Sequence, residues 1–250
     1  MIAEESSVRS DEPGRKIIVA IDGPSGAGKS TIARRLARHF GLLNLETGAM
    51  YRAFALKALR AGLPLDESAG LEELAAETTI HLEPGEEDNL VLLDGEDVTG
   101  LLRNQIVTDG ASRVSVFPAI RAWMVRRQQQ LGAAGGVVME GRDIGTVVFP
   151  HAEVKIFLDA APEVRGLRRY DQLGGRSHKP EIQPEEVIRE MRDRDLRDRN
   201  RADSPLKPAP DSVILDSTDM TLEEAVKAAE AIVEAKLSAA QDLPSIRLAE

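Results

Sequence analysis

The sequence predicts an α/β fold in which helices wrap a parallel β-sheet. Short apolar runs alternate with longer segments of helical periodicity along most of the chain. The first apolar run, at 16–21, leads into a glycine-rich turn and then into a helical segment, which together form one βα unit. At 250 residues the chain is long enough to bury a large core without disulfide bonds.

Each element follows from its pattern of apolar residues. The run KIIVAI at 16–21 is mostly β-branched and predicts a strand buried on both faces. Similar runs predict further strands at 135–143, 152–159 and 211–218. Helical spacing predicts helices at 31–40, 48–59, 112–131 (broken or started near Pro118), 162–173, 185–201 and 222–237. The stretch 63–105 changes character and predicts an inserted small antiparallel element.

The composition excludes several classes of function. Cysteine is absent, which removes disulfides, thiol catalysis and thiolate zinc sites, and the four histidines are not closely paired. The net charge of −10 and the aromatic fraction of 3% argue against a nucleic-acid partner. No apolar run is long enough to span a membrane, and the polar start lacks the apolar segment of a secretion signal. We therefore expect a cytoplasmic protein with no nucleic-acid or membrane partner.

Residues 23–30 match the pattern G-x-x-x-x-G-K-[ST] of a phosphate-binding loop, or P-loop. The glycines let backbone N–H groups turn toward a phosphate, and the following helix adds the positive end of its dipole. Lys29 would reach the β- and γ-phosphates, and the Ser30 hydroxyl would bind Mg²⁺. The predicted ATP-binding residues are therefore Gly23, Pro24, Ser25, Gly26, Ala27, Gly28, Lys29, Ser30 and Thr31.

A P-loop indicates a nucleoside triphosphate but does not specify the reaction. The Asn-Lys-x-Asp motif with which GTPases read guanine is absent from the sequence. The first strand is not followed by the G-x-G-x-x-G fingerprint of NAD-binding proteins. A motor or large ATPase would usually be longer or assembled. These observations favour a small-molecule kinase, which needs a second site for its acceptor.

Arginines supply the candidate acceptor site, because a kinase must hold an anionic acceptor in line with the donor. Arg52 lies near the start of a predicted helix. Arg142 and Asp143 end a predicted strand, which is where ligands bind in sheets of this kind. Arg168 and Arg169 lie on the helix after the next strand, where a solvated surface is an equally good interpretation.

The charged segment RDRDLRDRNR has two interpretations. Its opposite charges four residues apart are typical of a solvated helix, and the charge pattern alone favours that view. Arg194, Asp198 and Arg201 nevertheless share one helical face and could present two guanidiniums and a carboxylate to a phosphorylated sugar. The preceding segment 174–184 carries glycines and prolines typical of a hinge, so the helix could act as a lid that excludes water.

In their order and spacing, the segments GPSGAGKST, ETGAMYR, EGRDIGTVVFP and RDRDLRDRNR resemble the bacterial cytidylate kinase family. The resemblance runs from about Lys16 to Leu237. It implies a P-loop-type, three-layer α/β fold with a five-stranded parallel core sheet. The implied organisation is one kinase domain at 16–238, with a nucleoside-monophosphate-binding insert at about 63–105, a helical lid at about 170–205, and tails at 1–15 and 239–250.

The resemblance also implies an activity and a site. The reaction would convert ATP and CMP (or dCMP) to ADP and CDP (or dCDP), with Mg²⁺, in a monomeric enzyme. Arg52 and Arg142 resemble clamps on the acceptor phosphate, and Ser112, Arg121 and Asp143 resemble readers of cytosine. The implied catalytic residues are Lys29, Arg142, Arg168 and Arg194. The implied CMP-binding residues are Thr47, Tyr51, Arg52, Ser112, Arg121, Gly141, Arg142, Asp143, Arg194, Asp198 and Arg201.

Some assignments stay open. Asp22 could order magnesium-bound water or cap a turn, and Asp159 ends the run VKIFLD as a Walker B acid does. Tyr51 could pack on the base or close the start of its helix. The rival functions are a P-loop kinase with another acceptor, such as uridylate or shikimate, and a nucleotide-sensing module without turnover.

Overall fold

Five parallel strands form the central sheet of this computed structural model, which describes residues 16–83, 85, 89–172 and 183–241. In chain order the strands are β1 (Ile18–Asp22), β2 (Leu43–Glu46), β3 (Ile80–Glu83), β4 (Leu90–Leu93), β5 (Glu96–Asp97), β6 (Val137–Gly141), β7 (Val154–Asp159) and β8 (Val213–Asp216). The helices are α1 (Lys29–Phe40), α2 (Thr47–Arg60), α3 (Ser68–Ala76), α4 (Gln105–Val114), α5 (Pro118–Gly132), α6 (Pro162–Gln172), α7 (Pro184–Asn200) and α8 (Leu222–Gln241). The sheet order β2-β6-β1-β7-β8, parallel throughout, confirms the predicted fold class.

Two apolar layers cover the sheet, one on each face. Residues of β1 alternate between them, because successive side chains of a strand point to opposite faces. Val19 and Ile21 pack in the layer that contains α1 and α8, whereas Ala20 packs in the layer that contains α2, α4 and α5. Both faces are therefore apolar, and the polar residues of the central strands are concentrated at the strand ends.

The inserted segment forms the small antiparallel element that its sequence predicts. Strands β3, β4 and β5 pair antiparallel, and α3 precedes them. Asn89 fastens the insert to β2, because its side chain accepts from the Glu46 N–H at 3.3 Å and donates to the Asn44 carbonyl at 2.8 Å. The insert is thereby anchored beside the carboxyl end of β2.

The structure adds strand β2, which the apolar pattern does not predict because it is four residues long and buries only Leu45. The helical stretch predicted at 112–131 is the end of α4 followed by α5, with Pro118 at the first position of α5. The tail at 1–15 and all but the end of the predicted hinge at 174–184 lie outside the described residues. Helix α8 continues to residue 241, into the predicted C-terminal tail. None of the helices in the described ranges combines the length and apolarity needed to cross a membrane.

Candidate active site

The carboxyl ends of three neighbouring strands bring the predicted site residues to one edge of the sheet. Asp22 at the end of β1 is in register with Gly141 of β6, and Glu46 at the end of β2 is in register with Glu140 of β6. Ligands bind at this edge in open α/β sheets. Helices α1 and α2 also begin here, so the positive ends of their dipoles add to the site.

The loop 23–30 has the backbone of a phosphate-binding loop. Gly23 and Gly28 have φ angles of +150° and +100°, which residues other than glycine rarely adopt. A Cβ at Gly23 would also collide with the Leu158 carbonyl of β7. Lys29 is buried, and its Nζ donates to the Pro24 carbonyl at 2.7 Å, so the ammonium group is held against the loop.

Positive charge is concentrated beside this loop. Burial, with Arg142 nearby, lowers the pKa of Lys29 to about 7. Burial and Arg142 also lower the pKa of Arg194 to about 10, and Arg52 and Arg169 act in the same direction. We call Arg52, Arg142, Arg169 and Arg194 the arginine cluster. Cations that depress one another's pKa are stabilised by an anion placed among them, so this region favours phosphate groups.

Glu140 is an acid in contact with the loop that the sequence analysis does not single out. Its carboxylate accepts a hydrogen bond from the Ser30 hydroxyl. Burial, with Glu46 nearby, raises the pKa of Glu140. The sequence feature that could have identified Glu140 is an acidic residue at the end of an apolar strand. Asp159 at the end of β7 has the same feature, so the pattern does not distinguish the two acids. Asp159 instead accepts from the backbone N–H of Ala160 at 2.8 Å.

Asp22 caps the turn that follows β6. Its two carboxylate oxygens accept from the backbone N–H groups of Ile144, at 2.8 Å, and Gly145, at 2.7 Å. Burial raises the pKa of Asp22 to about 6. Of the two roles left open for Asp22, the structure supports capping. The capped turn directly follows Arg142 and Asp143, so Asp22 helps to hold both in place.

The predicted phosphate clamps pair with acids. Arg52 pairs with Glu46, and Arg142 Nε donates to Asp198 Oδ2 at 2.9 Å. Asp198 Oδ1 also lies 3.7 Å from Arg201 Nη1. Burial alone would raise the pKa of Asp198, but Arg142 and Arg201 outweigh it and lower the pKa. The contact between Arg142 and Asp198 joins the end of β6 to α7, so the charged helix does face the site.

The predicted cytosine readers form a second charged group. Arg121 of α5 and Asp143 make a buried ion pair, and Arg121 Nη1 also donates to the Ser115 carbonyl at 3.3 Å. The guanidinium of Arg121 lies 6.0 Å from the centre of the Tyr51 ring, within the range of a cation–π contact. Ser112 lies in the last turn of α4, which ends just before Ser115, and its hydroxyl is buried.

Thr47 and Gly141 are matched to each other where α2 approaches β6. Thr47 Oγ1 donates to the Glu140 carbonyl at 2.7 Å. A Cβ at Gly141 would lie 2.8 Å from Thr47 Oγ1, closer than real Cβ atoms come to their neighbours. Glycine at 141 is therefore required for the hydroxyl of residue 47 to reach the strand.

Several buried polar atoms of the predicted acceptor site lack a hydrogen-bond partner. In the described ranges, buried side-chain atoms without a hydrogen-bond partner include the Ser112 hydroxyl and the Nε atoms of Arg52, Arg121, Arg194 and Arg201. Leaving such a group unpaired costs about 1–3 kcal/mol. A polar ligand lying among these residues would supply the missing partners.

Arg168 and Arg169 point to different parts of the molecule. Arg168 donates to the hydroxyl and carbonyl of Ser217, after β8, at 3.2 and 2.8 Å. Arg169 Nη2 donates to Gln105 Oε1 of α4 at 3.4 Å, and burial, with Arg52 nearby, lowers the pKa of Arg169. The structure thus brings Arg169 to the arginine cluster, whereas the catalytic role of Arg168 stays a prediction.

Comparison with known proteins gives concordant matches. The family model described as cytidylate kinase matches residues 19–235. A cytidylate kinase of Solibacter usitatus is 47% identical over 232 residues, which cover 93% of this chain and 98% of that protein. A cytidylate kinase of Pelotomaculum thermopropionicum is 49% identical over 210 residues, covering 84% and 92%. A solved shikimate kinase of Acinetobacter baumannii, 16% identical, covers 92% of this chain and 96% of its own with a TM-score of 0.44, too low to bear on the assignment.

Proposed function

Because the chain belongs to the cytidylate kinase family, we propose that it phosphorylates CMP with ATP. The bond between the γ-phosphorus of ATP and its bridging oxygen breaks, and a phosphate oxygen of CMP bonds to that phosphorus, giving ADP and CDP. The observation that carries the proposal is the set of unpartnered buried polar atoms on the acceptor side. A nucleoside monophosphate offers both the charge and the hydrogen-bonding groups that these atoms lack.

Positioning and charge neutralisation supply the catalysis. Loop 23–30 holds the donor phosphates through its backbone, and Lys29 adds a charge beside them. Arg142 and Arg194 both lower the pKa of Lys29, which supports the proposal that they act with Lys29 on the group as it is transferred. The CMP phosphate is itself the nucleophile, and the protein needs no covalent intermediate.

The residues beside the loop fit Mg²⁺. The Ser30 hydroxyl and the Glu140 carboxylate are in contact, and both are hard oxygen donors of the kind that Mg²⁺ prefers. In kinases this ion keeps several waters and binds through phosphates and one or two protein groups. We propose that Ser30 binds the ion and Glu140 orders its waters, in preference to Asp22, which accepts two backbone hydrogen bonds. When bound, Mg²⁺ neutralises phosphate charge.

Hydrogen-bond polarity explains a preference for cytosine. The N4 amino group of cytosine donates, and Asp143 and Ser112 can accept from it. Its N3 and O2 atoms accept, and the forked guanidinium of Arg121 can donate to both. Uracil reverses the polarity at positions 4 and 3 and would leave buried groups unpaired, which is how such a site rejects an analogue.

The remaining contacts follow from the family resemblance. Arg194 and Asp198 contact the ribose, and Arg201 contacts a phosphate. Asp198 accepts from Arg142, which supports its place beside the acceptor. We further propose dCMP as a second acceptor, and a monomeric, cytoplasmic enzyme.

A panel of acceptors tests the function. Pure protein with ATP and Mg²⁺ is assayed on CMP, dCMP, UMP and AMP, and we expect kcat/KM for CMP to exceed that for UMP by about 100-fold. In Asp143→Asn this gap should narrow, because an amide can donate as well as accept. Equal rates of the wild type on CMP and UMP would contradict the cytosine site. Binding of ATP without transfer to any acceptor would favour the nucleotide-sensing alternative.

A further inference from the structure

Helix α7 packs directly on the phosphate-binding loop. Gly26 of the loop has a φ of +74°, and a Cβ there would lie 2.6 Å from Met191 Cε of α7. A Cβ at Gly166 of α6 would likewise collide with Ile188 of α7. The loop, α6 and α7 therefore form one close-packed unit, in which a shift of one part displaces the others.

Arg165 of α6 joins the three parts of this unit from the inside. It is 2% exposed, and all three of its guanidinium nitrogens are engaged. Nε donates to the Ala160 carbonyl at 2.8 Å, Nη1 donates to the Ser25 carbonyl at 3.0 Å, and Nη2 pairs with Asp195 Oδ2 at 2.6 Å. Ser25 belongs to the loop and Asp195 to α7, so one side chain connects the donor loop to the charged helix.

Asp195 shares its helix with the acceptor residues. It directly follows Arg194 of the arginine cluster, and Asp198 lies three residues further on, paired with Arg142. Helix α7 therefore presents Asp195 to the donor loop through Arg165, and Arg194 and Asp198 to the acceptor. A buried ion pair is seldom needed for stability alone, because apolar residues of similar volume often serve as well.

We propose that Arg165 is a positioning residue that couples donor binding to acceptor binding. ATP bound in the loop restricts the position of the Ser25 carbonyl. Arg165 donates to this carbonyl and pairs with Asp195, so the position of α7, and with it Arg194, is restricted as well. Such coupling is reciprocal, so ATP tightens CMP binding by the same factor by which CMP tightens ATP binding. This inference rests on the proposed function, because it takes CMP as the acceptor.

The test compares CMP affinity with and without a non-hydrolysable donor, β,γ-imido-ATP, by calorimetry. The variants are Arg165→Met, Asp195→Leu and the double variant, with thermal unfolding measured for each. The matched control is Arg192→Ala, because Arg192 of α7 pairs with Glu163 of α6 between the same two helices but at the exposed surface. KM for ATP and kcat are measured in parallel.

In the wild type we expect the donor analogue to tighten CMP binding about 10-fold. Arg165→Met and Asp195→Leu should each reduce this factor to about 2-fold or less, whereas Arg192→Ala should keep it. The double variant should recover much of the lost melting temperature, since it buries no unpaired charge, yet keep the reduced coupling and a raised KM for ATP. A merely structural role would instead restore stability, coupling and KM together, and that result would overturn the inference.

Two further results also count against it: a wild type without coupling, and single variants with the full factor. If a single variant does not fold, Arg165→Lys is used, because an ammonium keeps the charge but cannot hold all three partners in the guanidinium geometry. The proposed function can fail separately. If the wild type phosphorylates CMP but the variants keep the coupling, only the inference is overturned, whereas a wild type that does not phosphorylate CMP overturns the proposed function. The coupling is then measured with the acceptor that is turned over.

Discussion

The proposed donor and acceptor sides of the active site are built in different ways. The donor side is one stretch of backbone, residues 23–30, shaped by glycines and closed by a buried lysine. The acceptor side draws side chains from α2, α4, α5, α7 and the end of β6. Backbone N–H groups carry no net charge and can lie close together without repulsion. The arginines repel one another, and their charges are offset by ion pairs with the acids Glu46, Asp143 and Asp198. We therefore expect single charges on the acceptor side to decide both affinity and specificity.

The largest effect should come from the one formal charge of the donor loop. In Lys29→Ala the loop backbone can still hold phosphates, but the charge beside the transferred group is lost. We expect kcat to fall about 10³-fold, as when other preorganised charge-stabilising groups are removed. Steady-state kinetics with saturating ATP and CMP measure this loss.

Lys57→Ala is the matched control, because Lys57 also donates to a backbone carbonyl, that of Glu77 at 2.9 Å, but lies in α2 facing the insert. It should keep wild-type kcat. A Lys29→Ala variant with full turnover would refute the donor side of the comparison.

A smaller effect, larger on the binding of the acceptor than on that of the donor, is expected for Arg142→Gln. The change removes a proposed phosphate clamp and one of the two arginine partners of Asp198, so KM for CMP should rise about 100-fold. KM for ATP should change much less, since the donor is held mainly by the backbone. Arg199→Gln is the control, because Arg199 lies on the exposed side of α7, 3.9 Å from Asp159. Parallel losses for ATP and CMP would show that the two sides are not separable in this way.

The same difference explains what the sequence could predict. The donor loop is contiguous and follows a buried strand, so its spacing alone identifies it. Arg121 and Asp143 are 22 residues apart, and Arg142 and Asp198 are 56 apart, so no local pattern indicates that they meet. Arg142, Asp143 and Asp198 were candidates from their local patterns, whereas Arg121 was assigned through the family resemblance. The structure brings the two members of each pair together.

Neither the local sequence pattern nor the family resemblance identified two features of the structure. Strand β2 has one buried residue, Leu45, so it carries no apolar pattern to detect. Glu140 and Asp159 each end an apolar strand beside β1, and the sequence cannot rank them. The packing of α1 on β6 decides between them, because it brings Ser30 to Glu140. The parallel α/β sheet, in contrast, follows from alternating strands and helices and is confirmed, and its five strands agree with what the family resemblance implies.

The pH dependence of ATP binding tests how strongly the two sides interact. Lys29 has a pKa lowered to about 7 by burial and Arg142, so above pH 7 it is largely neutral in the free protein. Donor phosphates favour its charged form, so ATP binding should take up a proton above pH 7. ATP affinity should then fall by up to about tenfold per pH unit between the free and bound pKa values.

Calorimetry at pH 8 in two buffers of different ionisation enthalpy measures this uptake. At that pH the terminal phosphate of ATP, with a pKa near that of other phosphate esters at about 6, contributes little. Lys29→Arg is the control, because a guanidinium stays charged and takes up no proton. Equal uptake by wild type and Lys29→Arg would assign the proton to another group.

The smallest effect on kcat/KM is expected at Thr47, whose side chain contacts the backbone of β6. Its hydroxyl donates to the Glu140 carbonyl at 2.7 Å, next to the carboxylate that contacts Ser30. Thr47→Ser keeps this bond, so kcat/KM for CMP should stay within about threefold of wild type. Thr47→Val keeps the shape but leaves the carbonyl unpaired, and a lost hydrogen bond of about 1 kcal/mol predicts a loss of roughly fivefold. If serine is as damaging as valine, the methyl group as well as the hydroxyl positions α2 against β6, and the acceptor side depends on packing as well as on charge.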